Sequence, residues 1–213
     1  MLLSTWITFV IAGCIIAISP GSGAVLSMSH GLAYGVKKAS GTVLGLQLGL
    51  LLVFAIAGAG VGSLLLASTV AFTIVKTIGA LYLIYLGVVQ WRARVELAAG
   101  AASAAPVAIP VLKRRVLTGF LTNATNPKGI IFMVAVLPQF ISREAPLLVQ
   151  LAILGATMVT IDTIVMHGYA LLASSMQRLF RDARAVKKMN HFFGAVLMFM
   201  GAALFFVVPG ART

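Results

Sequence analysis

No charged side chain stands between Trp6 and Tyr34, and Pro20 lies in the middle of that run. A helix crossing a bilayer needs about 20 apolar residues, so the run is too long for one straight crossing. Proline inside a helix breaks it. A break within the bilayer is tolerated only where the freed backbone groups find partners or line a cavity. The pattern returns at Asn126-Pro127, inside a second apolar segment. In each case a good N-cap residue, Ser19 or Asn126, precedes a proline suited to the first helical position. Each dipeptide therefore predicts a helix that stops and restarts at mid-membrane depth. Two such breaks, one in each half of a chain, point to a transporter's substrate site.

Six segments read as spans, at roughly 4–34, 40–62, 68–91, 115–140, 147–174 and 190–208. The chain is 61% hydrophobic and 9% charged, against about 25% charged in soluble domains. The expected class is all-α integral membrane. The formal charge of +12 does not imply nucleic acid, because the basic residues sit in short loops. Loops after spans one, three and five hold Lys37, Lys38, Arg92, Arg94, Lys113, Arg114, Arg115, Arg178, Arg181, Arg184, Lys187 and Lys188. The opposite side holds Arg143 and Arg212. This bias places the first group in the cytoplasm and both termini outside, in a bacterial inner membrane. Ile11-Ala12-Gly13-Cys14 has the form of a lipoprotein cleavage box, but no Lys or Arg precedes it, so residues 1–18 read as a retained helix. The single cysteine excludes an intramolecular disulfide or a two-thiol relay.

Three spans per half force the second half to enter the membrane upside down. The expected units are residues 1–96, a cytoplasmic linker at 97–114 that is rich in alanine at its start, and residues 115–213. Pro20 pairs with Pro127 in this scheme, and Gly79-Ala80 with Gly194-Ala195. The result is an inverted three-plus-three repeat, with alternating exposure by one half rocking against the other. Gly41, Gly45 and Gly49 form one small-residue helix face, for packing within or between chains, so a homo-oligomer stays open.

At each break the new half-helix presents unpaired N–H groups and a positive dipole end, a natural seat for a carboxylate. Lys128 follows the second break directly, where its charge opposes the dipole. Two uses fit it: adding charge to a carboxylate or phosphate site, or snorkelling to the outer interface. Asp162 is the one acid within a span. It suits a group that trades a proton for a substrate ammonium, or one held in a fixed ion pair with Lys128 or Lys76. Lys76 itself reads as snorkelling. Asn123, one turn before the second break, caps freed carbonyls or touches substrate. Helix-to-helix hydrogen bonding is the default reading for Gln47, Gln139 and Asn123 alike, and His30 and His167 read as packed histidines with satisfied bonds. No His, Cys and acid cluster has metal-ligand spacing, and no catalytic or nucleotide motif stands in the chain, so no enzyme activity, metal or cofactor is expected.

Several stretches recur together: Ile18-Ser19-Pro20-Gly21, the run Gly79 to Gly87, Gly119-Phe120-Leu121-Thr122-Asn123 with Asn126-Pro127-Lys128, Leu137-Pro138-Gln139-Phe140, Asp162 with Gly168-Tyr169-Ala170, and Gly194-Ala195. In this order and spacing the chain resembles the LysE/RhtB family of bacterial amino-acid exporters, which includes lysine, threonine, homoserine and homoserine-lactone efflux proteins. The resemblance implies proton-coupled export of an amino acid or a derivative. It also marks Pro20, Gly21, Asn126, Pro127, Lys128 and Asp162 as positions to test. Ser22 stands where the family often has a second proline. The full expected site is Ser19, Pro20, Gly21, Asn123, Asn126, Pro127, Lys128 and Asp162, with Asp162 coupling the proton. Rival readings are a transporter of another small solute or cation, and a non-transporting membrane assembly protein.

Overall fold

The computed structural model describes residues 1–67, 69–92, 109–142, 144–175 and 183–205. Among these the regular structure is helical: α1 (Leu3–Ile18), α2 (Ser22–Tyr34), α3 (Val36–Ala67), α4 (Thr69–Arg92), α5 (Leu112–Ala124), α6 (Pro127–Val136) with a 3-10 turn (Leu137–Phe140), α7 (Leu147–Ser175) and α8 (Ala183–Phe205). By length and composition, α3 (over Val36–Gly60) and α7 can each cross a membrane. Two bent pairs qualify as broken spans: α1 with α2, bent by 57°, and α5 with α6 and its 3-10 turn, bent by 51°. The protein is thus all-helical with two candidate spans, or four if each bent pair counts as one. Most of the expected linker lies outside the described residues, as do Arg94, Arg143, Arg178, Arg181, Arg212 and the expected end of the last span. Helix α5 starts within the predicted linker, so Lys113 and Arg114 are helical.

Both breaks fall where the prolines predict, but only one has the predicted cap. Asn126 is the N-cap of α6, its side chain accepting the Lys128 backbone N–H at 3.1 Å, with Pro127 in the first turn. At the first break, Ser19 caps the C-terminus of α1, and α2 restarts later with extended Gly21 as its N-cap. The cause lies in the carbonyls. An N-cap gives its own carbonyl to the first helical bond, and that of Ser19 is taken by the Lys128 ammonium. The first bond of α2 uses Gly21 instead, through Val25 N–H at 3.0 Å.

Helix α3 begins earlier than the expected residue 40, because Gly35 takes φ 78° and turns the chain within one residue. The glycine face of α3 packs inside the chain. A Cβ on Gly45 would stand 2.8 Å from the Val116 carbonyl carbon and 2.9 Å from Phe120 N, both in the α5 backbone. One on Gly49 would stand 2.8 Å from Ala124 N. Helices α4 and α8 meet in the same way, with Gly87 against the Gly194 carbonyl and Gly201 against that of Ala80. Gln90 donates to Asn190 at 2.7 Å and Trp91 stacks on His191 beside this contact. Helix α1 packs on α7 as α5 packs on α3, and α2 packs on α7 as α6 packs on α3. Between these elements lies the main core, around Phe9, Phe132, Met133, Leu83, Leu154 and Leu197.

Candidate functional site

The two restarted helices open onto one cavity of about 40 Å³. Gly21, Gly23 and Ala24 border it from the start of α2, and Asn126, Lys128 and Gly129 from the start of α6. The positive ends of two half-helix dipoles therefore meet at one space and favour an anion there, although the Asn126 side chain already takes the Lys128 N–H of α6. Asp162 of α7 borders it from a third side, and Ser19 and Asn123 complete the polar wall. Leu50, Phe132, Met133, Met158 and Met166 supply the apolar wall. Of the eight predicted site residues, six line the cavity: Ser19, Gly21, Asn123, Asn126, Lys128 and Asp162. Neither Pro20 nor Pro127 does; the prolines shape the breaks and stand off the cavity.

Lys128 reaches into the first half of the chain. Its ammonium donates to the Ile16 carbonyl at 3.1 Å and to the Ser19 carbonyl at 2.5 Å. Tyr169 of α7 donates its hydroxyl to the carbonyl of Ile18. The freed carbonyls of α1 are thus held by side chains of the second half. Local donors are scarce there, because Pro20 has no N–H. At the second break the chain provides its own: Thr125 N–H and Oγ1 bond the Leu121 carbonyl at 3.0 and 2.7 Å, and Asn126 N–H bonds that of Asn123 at 3.1 Å. The placement of a cation in the first turn of α6 is accounted for: the negative end of α1 offsets the dipole it opposes. Snorkelling is ruled out for this side chain, which points across the bundle.

Asp162 is buried, and its Oδ2 accepts a hydrogen bond from Gln47 Nε2 of α3 at 2.8 Å. Lys128 lies close enough to feel its charge but gives its ammonium to the Ile16 and Ser19 carbonyls, so the hydrogen bonds of Lys128 and Asp162 run to different partners. Lys76 is also buried, against the expectation that it snorkels outward. Asn123 donates to the Leu46 carbonyl of α3 at 2.8 Å, the helix-to-helix bond expected of it, and the carbonyl it meets belongs to an unbroken helix, not to the break. Gln139 bonds the Ala135 carbonyl one turn back, not another helix. The histidines are packed as expected. His30 Nδ1 meets Thr42 Oγ1 at 2.6 Å, and His167 meets the Thr163 carbonyl at 2.9 Å and Ser40 Oγ at 3.1 Å.

Two contributors escaped the sequence reading. The sequence offers Tyr169 only as part of a motif, and its reach to Ile18 joins elements far apart in the chain. It offers Gln47 only as a helix-to-helix hydrogen bonder, and nothing local names Asp162 as its acceptor.

A family model described as LysE type translocator matches residues 14–207. An uncharacterized membrane protein of Vibrio cholerae is 40% identical, covering 95% of this chain and 96% of its own length. The homoserine/homoserine lactone efflux protein of Salmonella typhi is 38% identical over 96% of this chain and 97% of that protein. The leucine efflux protein of Klebsiella pneumoniae is 29% identical over 93% of each chain. No solved structure matches the chain.

Proposed function

We infer, from the premise that this chain belongs to the LysE type translocator family, that it exports a small amino acid or a close derivative across the bacterial inner membrane in exchange for protons. One observation carries the reading: two half-helix N-termini, one ammonium and one buried carboxyl border a single cavity. The substrate's carboxylate docks at the starts of α2 and α6, where free N–H groups and two dipole ends converge. Asp162 carries the exchanged proton. It is the carboxyl in the cavity wall, and the Gln47 amide that donates to its Oδ2 leaves the other oxygen available to take up or release a proton.

The cavity of about 40 Å³ has room for about three waters. That is less than an amino acid needs, so loading requires the walls to part. This fits a carrier that passes through a closed form. The exchange of partners between the halves, α1 on α7 as α5 on α3, supports an inverted repeat of residues 1–96 and 115–213, and with it six spans and both termini outside. Relatives named for homoserine, homoserine lactone and leucine efflux define the first substrates to try.

The test is uptake into everted vesicles carrying the chain, the direction that corresponds to export from the cell, over a panel that includes homoserine, its lactone and leucine, with and without a proton uncoupler. Uncoupler-sensitive movement of one or a few of these is the expected outcome. Asp162→Asn is expected to insert normally and to lose the gradient-driven component. Retained pH-driven export in that variant refutes the proton role, and a panel in which nothing moves refutes the substrate class.

A further inference from the structure

The exporter reading leaves open where a substrate's amino group goes, and the end of α1 offers an answer that rests on that reading. The Ile16 and Ser19 carbonyls, freed by the break, converge on one primary ammonium, that of Lys128. A third acceptor stands beside them. Ser19 is 1% exposed and borders the cavity, and its buried Oγ has no hydrogen-bond partner among the described residues, the Lys128 ammonium included. An ammonium has three donors, and Lys128 uses two of them on these carbonyls. Space around it is tight, since a Cβ on Gly21 would stand 3.2 Å from both Cε and Nζ of Lys128. The C-terminal dipole of α1 adds its negative end to the same spot.

We propose that this cradle, formed by the Ile16 carbonyl, the Ser19 carbonyl and Ser19 Oγ, is the docking site for the primary ammonium of the transported substrate. In the arrangement described here Lys128 occupies it as a tethered stand-in. An arriving amino group takes the two carbonyls and the unused hydroxyl. Lys128, displaced, has two anionic partners on the same cavity: the substrate's carboxylate and Asp162. The exchange moves Lys128 from two neutral carbonyls toward those partners, and it requires N–H donors on the guest. A primary amine fits; a quaternary one does not.

The probe is ethylammonium, with tetramethylammonium as the control that lacks N–H groups, added to the purified full chain in detergent. In Lys128→Met the stand-in is gone. Ethylammonium is expected to raise the unfolding midpoint of that variant at concentrations about tenfold below any effect on the unaltered chain. Tetramethylammonium is expected to raise neither. No stabilisation of Lys128→Met by ethylammonium, or equal stabilisation by the quaternary ion, overturns the proposal. If Lys128→Met does not fold, Ser19→Ala decides. It removes a hydroxyl that bonds nothing in this arrangement, so the unfolding midpoint should hold or rise, while KM for export rises about fivefold. An unchanged KM overturns the proposal. Failure of the exporter reading is seen separately, as an unaltered chain that moves no amino acid, and the ethylammonium result still judges the cradle.

Discussion

Gly45→Ala tests whether α3 and α5 hold the cavity wall through backbone contact. Two effects oppose each other. Alanine in place of glycine inside a helix gains about 1 kcal/mol of intrinsic stability. At Gly45 the new Cβ would lie 2.8 Å from the Val116 carbonyl carbon and 2.9 Å from Phe120 N. Both are main-chain atoms of α5 and cannot rotate away, so the helices must separate. Overpacking of this kind costs about 1–3 kcal/mol, and with backbone on both sides the upper part of that range applies. The net expectation is a loss of about 1–2 kcal/mol, or about 3–6 °C in a thermal unfolding midpoint for a chain of this size. Gly168→Ala is the control: it lies within α7 with nothing within 4 Å of its new Cβ, so it should gain stability. Unfolding of the purified chain in detergent, followed by loss of the monodisperse peak after heating, measures both. Separation of α3 from α5 also pulls the Leu46 carbonyl from Asn123 and moves Gln47 under Asp162, so export should fall with stability. A Gly45→Ala variant as stable as Gly168→Ala, with unaltered export, refutes the argument.

Other outcomes follow from single bonds at the breaks. Asn126→Ala removes the cap on the Lys128 N–H and is expected to cost about 1 kcal/mol, with Asn126→Ser recovering most of it in the same unfolding assay. Tyr169→Phe leaves the Ile18 carbonyl without the hydroxyl that holds it; a loss of about 1 kcal/mol and slower export are expected, and a neutral result in both would show that this tie between the halves is idle. Pro127→Ala should lower export more than membrane level, because it lets α5 continue into α6 and closes the restart that faces the cavity. Export at the unaltered rate would make the second break dispensable.

Asn126 and Ser19 mark how far local chemistry can be read from a sequence. The Asn126 cap is a bond to a backbone group two residues on, so residue type and spacing suffice to predict it. Ser19-Pro20 has the same local form, yet its carbonyl is claimed by a lysine 109 residues away, and the helix restarts elsewhere. The convergence of both breaks on one cavity was legible because two half-helices with free N–H groups need somewhere to point. Asp162 was legible because a buried acid is too costly to be incidental. The partners of Lys128, Gln47 and Tyr169 were not. Each depends on which helices lie side by side, and the low-charge, apolar pattern shared by every span carries no address for its neighbour.

The glycine contacts between α4 and α8 bear on how such a bundle moves. These helices come from opposite ends of the sequence, touch main chain to main chain, and contribute none of the described residues to the cavity wall. Helices α3 and α5 are likewise fused across the halves. A swing of residues 1–96 as one block against 115–213 would tear both seams at once. Any group of helices that keeps these two seams intact therefore draws its members from both stretches of the sequence, so the physical units of this bundle are not the units into which its sequence divides.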